Sequence, residues 1–278
     1  MELWGILWPA LLAGTVAIGV TVAIERWGGR VGGLIGTLPT TIVPASLGIY
    51  AQSADDAAFA IAMGAVPAGM LVDVGFLYLW RVLPPRLPAV GLAGRLGLMV
   101  VLSMLGWAAG AIAFVQGIDT LRALAVSPLA TGAVLAIASV VAGVLACRRN
   151  PPTPSGSRRV GPATLLARGV LAGVAIAVSV WLVRVGGPLA AGMAAVFPAI
   201  FLTTMASLWI SQGESVQSGA VGPMMLGSSS VSAFALAAAV TFPLLGPALG
   251  TAAAWVVAVA VVTVPAWLWL RRLQTARR

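Results

Sequence analysis

The chain has 278 residues, of which 60% are hydrophobic and only 8% are charged. Soluble domains carry about a quarter of charged residues, so this composition excludes a soluble protein and indicates an integral membrane protein. The apolar runs are about twenty residues long, the length of a spanning helix and twice that of a membrane β-strand. The expected fold class is therefore all-α.

The residue types in the chain also exclude several kinds of catalytic and metal-binding site. All 16 basic residues are arginine, histidine is absent and Cys147 is the single cysteine. Lysine Schiff bases, histidine bases, intrachain disulfides and thiolate metal sites are thereby excluded, and we expect no cofactor and no metal. The net charge of +9 lies in runs between apolar segments and is not interleaved with aromatic residues, so we expect no nucleic-acid partner. Arginine without lysine, in an Ala-, Gly- and Val-rich chain, points to a bacterial source.

Nine apolar segments in chain order predict nine transmembrane helices. Their approximate bounds are 3–24, 32–51, 57–80, 96–115, 123–146, 163–183, 189–210, 217–240 and 247–270. The first segment lacks the basic residues that precede a signal-peptide core, so we interpret it as a retained helix. Segment 147–162, which contains arginine pairs, prolines and serines, predicts a cytoplasmic linker between a first transmembrane half, 1–146, and a second, 163–278.

The arginines predict the orientation. With the N-terminus outside, 14 of the 16 arginines fall in cytoplasmic segments, and the other two are Arg122 and Arg184. This asymmetry follows the positive-inside rule. Most tryptophans lie near span ends, as interfacial anchors do: Trp4, Trp8, Trp27, Trp80, Trp181, Trp209, Trp267 and Trp269. We expect a multi-pass protein of the bacterial inner (plasma) membrane, with its C-terminus in the cytoplasm.

Proline and glycine interrupt the second and seventh segments. The second contains Pro39 and Pro44, and the seventh contains Pro198. Because proline removes an amide donor and crowds the preceding turn, we expect broken helices here. The span that follows each interrupted segment carries a related motif. GAVPAGML at 64–71, in the third span, matches GAVGPMML at 219–226, in the eighth span, at five of eight positions. These pairs predict an inverted-topology repeat relating spans 1–4 to spans 6–9, with chance similarity of small residues as the alternative.

Asp73 is the only acidic residue deep within a span. Burying a carboxyl in a membrane costs a few kcal/mol, and such residues are usually functional. Asp73 continues a stripe of small residues at helical spacing, Ala58, Ala62, Ala65 and Gly69, which predicts that its side chain points into the bundle. We interpret it as a proton or cation site. The alternative is a neutral carboxyl held by a hydrogen bond to a neighbouring helix.

Hydroxyl and proline residues near the breaks complete the candidates for substrate or ion binding. They are Thr37, Pro39, Thr40, Thr41, Pro198, Thr203, Thr204, Ser228 and Ser229. The threonines either line a polar path or satisfy carbonyls that the prolines free. The serines favour a polar cavity, with hydrogen bonding between helices as the alternative. Ser228 occupies the position that the repeat equates with Asp73, and Ser230 and Ser232 follow it.

These features favour a secondary active transporter of a small solute, importer or exporter, coupled through Asp73 to protons or a cation. The expected partners are the lipid bilayer and the small-molecule or ion substrate, and a homo-oligomer stays open. The sequence has no phosphate-binding loop for an ATP-driven pump. Without a nucleophile–base pair an intramembrane enzyme is disfavoured, and we expect no catalytic activity. The alternative function is a non-catalytic membrane subunit or scaffold.

Overall fold

The computed structural model describes residues 2–27, 38–88, 91–149, 161–212 and 214–276. These residues form helices and connecting turns, without a strand. The helices are α1 (Glu2–Trp27), α2 (Ile42–Gln52), α3 (Asp56–Val82), α4 (Leu92–Ala123), α5 (Pro128–Arg148), α6 (Pro162–Val185), α7 (Gly187–Ala194), α8 (Ala199–Gln212), α9 (Glu214–Ala258) and α10 (Val264–Ala276). A 3₁₀ turn (Pro84–Arg86) follows α3, and a π-helical turn (Val259–Thr263) joins α9 to α10.

Six helical segments in the described part of the chain are long and apolar enough to cross a membrane. They are Asp56–Val82, Leu92–Thr120, Pro128–Arg148, Pro162–Val185, Gly187–Ile210 and Gly219–Leu273. The apolar stretch Leu3–Gly19 of α1 is shorter. The all-α membrane class predicted from composition is confirmed. The helix that contains the predicted fourth span, 96–115, is longer than that span and runs from Leu92 to Ala123.

The segment Gly219–Leu273 is not one straight helix. Gly246 interrupts α9 with φ 73° and ψ 167°, a backbone region that is essentially restricted to glycine. Thr241 Oγ1 donates to the Gly250 carbonyl oxygen at 2.9 Å, although nine residues of straight helix would separate these groups by about 13 Å. The two arms of α9 therefore fold back on each other. The turn falls between the eighth and ninth predicted spans.

The central helix is α3, which packs against α4, α5, α7 and α9. Small residues let the backbones approach closely. A Cβ atom on Gly132 of α5 would lie 2.7 Å from the Gly64 carbonyl oxygen. Nearer the other end of both helices, Arg81 Nη1 donates to the Ala146 carbonyl oxygen at 3.0 Å. Helices α3 and α5 therefore run parallel.

The helix α5 also packs along the first arm of α9. A Cβ atom on Gly143 would lie 2.6 Å from Leu226 Cα, and one on Gly132 would lie 3.1 Å from Leu236 Cδ2. The numbering rises along one helix as it falls along the other, so α5 and α9 are antiparallel here. The fifth helix thus lies against both α3 and α9.

A second close pair is formed by α1 and α6. A Cβ atom on Gly14 would lie 2.9 Å from the Gly169 carbonyl oxygen, and one on Gly173 would lie 3.0 Å from that of Ala10. These helices are antiparallel, and α2 packs against both. Thr37 and most of the predicted linker, residues 150–160, lie outside the described residues.

Candidate functional site

The small-residue stripe of α3 is the surface that α7 packs on. A Cβ atom on Gly192 would lie 2.0 Å from the Ala62 carbonyl oxygen, and one on Gly69 would lie 2.3 Å from Val196 Cγ2. The two helices therefore run parallel and in backbone contact. Asp73 follows Gly69 by one helical turn on the same face, which places it level with the point where α7 has ended.

The Asp73 side chain points into the protein, as the stripe predicts. Its exposed fraction is 1%. Trp107 Nε1, on α4, donates to Asp73 Oδ1 at 2.8 Å. The Trp107 ring in turn meets Phe197 edge-on, with ring centroids 5.3 Å apart and an interplanar angle of 78°. Because Phe197 lies between α7 and α8, one side chain connects the buried carboxyl to the interruption of the seventh span.

This interruption covers residues 195–198. Phe197 N donates to the Ala194 carbonyl oxygen at 3.1 Å, and Ala199 N donates to the Phe197 carbonyl oxygen at 2.7 Å. The second bond closes a three-residue turn around Pro198, which has no amide hydrogen to continue the α-helical pattern. The α-helical pattern resumes with Leu202 N donating to the Pro198 carbonyl oxygen at 2.8 Å. We call residues 195–198 the α7–α8 break.

The described part of the second predicted span has the same local form. Thr40 N donates to the Leu38 carbonyl oxygen at 2.9 Å, closing a three-residue turn around Pro39, and α2 begins at Ile42. Pro39 is buried, while Thr40 and Thr41 are half-buried. A tight turn centred on a proline thus precedes both α2 and α8.

Two of the predicted hydroxyls bind the backbone of their own helices. Thr203 Oγ1 donates to the carbonyl oxygens of Ala199 and Ile200 at 2.8 and 3.1 Å. Ser228 Oγ donates to the Met225 carbonyl oxygen at 2.8 Å. Neither hydroxyl binds the Ala194 carbonyl, which is the one that Pro198 leaves without its α-helical donor. Thr204 lies beside Thr203 on α8 and is half-buried.

Ser229 and Ser232 differ from these two residues. Their side chains are 1% and 0% exposed, and each Oγ atom has no hydrogen-bond partner among the described residues. An unpaired buried hydroxyl costs about 1–3 kcal/mol, so this pair, one helical turn apart on α9, needs an explanation. A polar ligand or water that enters the protein interior would find two unused hydrogen-bonding groups here.

These serines lie at the depth of Asp73. Asp73 and the buried Ser139 are each about midway between the two contacts that join α3 to α5. Ser229 and Ser232 lie between the two contacts that join α9 to the same part of α5. The packing therefore gathers four polar side chains into one layer. The hydrogen bond of Asp73 goes to Trp107, however, and not to the serines.

An aromatic cluster lies on each side of this layer. The Tyr50 cluster consists of Tyr50, Phe59 and Phe242, with centroid separations of 4.8, 5.1 and 5.4 Å. The Trp80 cluster consists of Phe76, Trp80 and Trp209, with separations of 6.2 and 5.9 Å along the series. Phe59, Phe242, Trp80 and Trp209 are all 0% exposed. The α3 helix passes through both clusters and carries Asp73 between them.

Trp107 is the functional candidate that sequence analysis did not name. The sequence feature that could have indicated it is its position in the middle of the predicted span 96–115, because most other tryptophans lie near span ends. A buried indole N–H usually binds an acceptor. Which acceptor it finds depends on how α4 packs against α3, and the sequence pattern does not specify this packing.

Comparison of the chain with protein-family models, with curated proteins and with solved structures found no match. Within the described ranges, no group of three or more His, Cys, Asp or Glu side chains is arranged to hold a metal ion. The class that the fold and site define is an all-helical membrane protein with a buried carboxyl beside an interrupted helix.

Proposed function

We propose that the protein is a secondary active transporter of a small solute, coupled to protons or a cation through Asp73. The observation that carries this proposal is the connection from Asp73 through Trp107 to the α7–α8 break. Carboxyls buried in membrane proteins are usually functional, because their cost must be offset. Interrupted helices at matching positions of two halves are typical of secondary transporters.

The proposed architecture is a nine-span inverted repeat in the bacterial inner membrane, with the N-terminus outside. It counts the two arms of α9 as two spans, α7 and α8 as one, and α2 with the residues before it as one. Two observations support the repeat. The turns around Pro39 and Pro198 have the same hydrogen bond, and α5 packs against both α3 and α9, the third and eighth spans.

The aromatic clusters supply the two seals that alternating access requires. Each broken segment contributes one ring: α2 carries Tyr50, which meets Phe242, and α8 carries Trp209, which meets Trp80. In the proposed orientation the Tyr50 cluster is the outer seal and the Trp80 cluster is the inner seal. A movement of α2 opens the outer seal and a movement of α8 opens the inner one. We infer that the described conformation, in which the rings of each cluster are in contact, has both seals closed.

Thiol labelling tests the proposal. In a Cys147→Ser background, single cysteines replace Thr41 and Thr203, which follow the two proline turns. Membrane-impermeant reagents are applied from each side of vesicles under opposite pH gradients, and each rate is divided by the rate for a free thiol at the pH of that side, because only the thiolate reacts. A transporter predicts reaction at both positions with a favoured side that switches with the gradient, and Asp73→Asn should abolish the switch. No reaction from either side would contradict transport and favour a scaffold.

A further inference from the structure

We propose that Trp107 is a positioning residue that passes the protonation state of Asp73 to the α7–α8 break through Phe197. This inference rests on the proposed transport function. Its geometric basis is the continuous series of contacts from the carboxyl to the indole N–H at 2.8 Å and from the indole ring to the Phe197 ring at 5.3 Å. Phe197 itself precedes Pro198, around which the backbone turns.

The two states of the carboxyl hold the indole differently. An ionised carboxylate accepts the Trp107 N–H in a charge-assisted bond, which is about twice as strong as a neutral one. When a proton from water binds a carboxyl oxygen, the negative charge is lost and the hydrogen bond weakens. Trp107 is then free to turn, and the edge-on contact that fixes Phe197 is released. Protonation therefore favours rearrangement of the break.

Among the described residues that face Asp73, no second titratable side chain lies at the same depth and could produce the same pH response. The helices packed against α3 are α2, α4, α5, α7 and α9, together with α8, whose Trp209 ring meets Trp80. The charged and titratable described side chains on α3, on the following 3₁₀ turn and on these elements are Tyr50, Asp56, Tyr78, Arg81, Arg86, Arg95, Asp119, Cys147 and Arg148. Tyr78 is the nearest along α3, and its side chain is 48% exposed, away from the interior. The signal received by Trp107 is thus that of Asp73.

The test measures the labelling rate of Thr203→Cys against pH in the Cys147→Ser background, divided at each pH by the rate for a free thiol in solution, because the reagent attacks the thiolate and a lower pH alone slows labelling. We expect this ratio to rise roughly three- to tenfold as the pH falls, the range that corresponds to losing the charge assistance of one hydrogen bond. Trp107→Phe keeps a ring against Phe197 but removes the N–H, and should flatten this dependence. Phe197→Leu keeps the hydrogen bond and should also flatten the pH dependence of labelling. The control variant is Trp181→Phe, which replaces an exposed tryptophan on α6 and should keep the wild-type pH dependence.

Infrared difference spectroscopy over the same pH range reports the carboxyl itself. The signal that Asp73→Asn removes should persist in Trp107→Phe, because the carboxyl still binds its proton while the break no longer responds. A wild-type pH dependence of labelling in Trp107→Phe and Phe197→Leu would overturn the proposed link and leave transport standing. Loss of the infrared signal in Trp107→Phe would also overturn it, since Trp107 would then only support the carboxyl. Absence of labelling at every pH in the parent would overturn the transport function as well.

Discussion

The backbone of Gly192 in α7 rests on the Ala62 carbonyl of α3, so that a Cβ atom on Gly192 would lie 2.0 Å from that oxygen. No real Cβ atom approaches an oxygen this closely. The clash is with a backbone atom, and unlike a flexible side chain the backbone cannot relieve it by a rotamer change. Gly192→Ala should therefore push α7 off α3 and lower the free energy of unfolding by about 1–3 kcal/mol. The thermal unfolding midpoint in detergent measures this effect.

The matched control for this substitution is Gly97→Ala. Gly97 lies in α4, and a Cβ atom there meets nothing within 4 Å. Alanine is the better helix former, so its midpoint should stay the same or rise. Equal midpoints for the two variants would contradict the close packing of α7 on α3.

Gly246→Ala tests the free-energy cost of an unfavourable backbone conformation, whereas Gly192→Ala tests the cost of a steric clash. A Cβ atom on Gly246 also meets nothing within 4 Å, but φ is +73°. An L-residue in this conformation costs about 1–3 kcal/mol, which should open the turn between the arms of α9. We expect greater cleavage by a soluble protease at this turn than in Gly97→Ala. Unchanged cleavage would show that the turn does not need glycine.

Ser229→Ala and Ser232→Ala should not lower stability, because each removes a buried hydroxyl without a partner in the described structure. Ser179→Ala provides the comparison, since Ser179 Oγ donates to the Ala175 carbonyl oxygen at 2.8 Å. Removing that bond should cost about 1 kcal/mol relative to the other two variants. Unfolding midpoints in detergent rank the three. If Ser232→Ala proved the least stable, its hydroxyl would be serving the fold and not a ligand.

The orientation predicted from the arginines is open to a direct test. A green fluorescent protein fused to the C-terminus should fluoresce, because it stays in the cytoplasm, and alkaline phosphatase at the same position should be inactive. Alkaline phosphatase fused after Gly186, between α6 and α7, should be active. The reverse pattern would place the arginine-rich segments outside and contradict the positive-inside assignment.

The sequence predicts those parts of the site that depend on local chemistry. Pro39 and Pro198 mark the tight turns before α2 and α8, since proline cannot continue the helical hydrogen bonds. The helical spacing of Ala62, Gly69 and Asp73 predicts that the carboxyl is buried.

Features that depend on the packing of distant segments cannot be predicted from the sequence pattern. The partner of Asp73 is set by the contact between α3 and α4, which no local pattern specifies. Whether a hydroxyl binds its own backbone, as in Ser228, or stays unpaired, as in Ser229, depends on rotamers fixed by neighbouring helices. The layer shared with Ser139 likewise arises because α5 lies against both α3 and α9.

The central claim is that the two seals open in turn around Asp73. Spin-label distance measurements test it most directly, with label pairs at Ala54 and Leu244 for the outer seal and at Pro85 and Ile210 for the inner seal, all in the Cys147→Ser background. Alternating access predicts two distances for each pair, with the longer distance favoured at opposite ends of the pH range for the two pairs. One unchanging distance for both pairs at every pH would contradict the account.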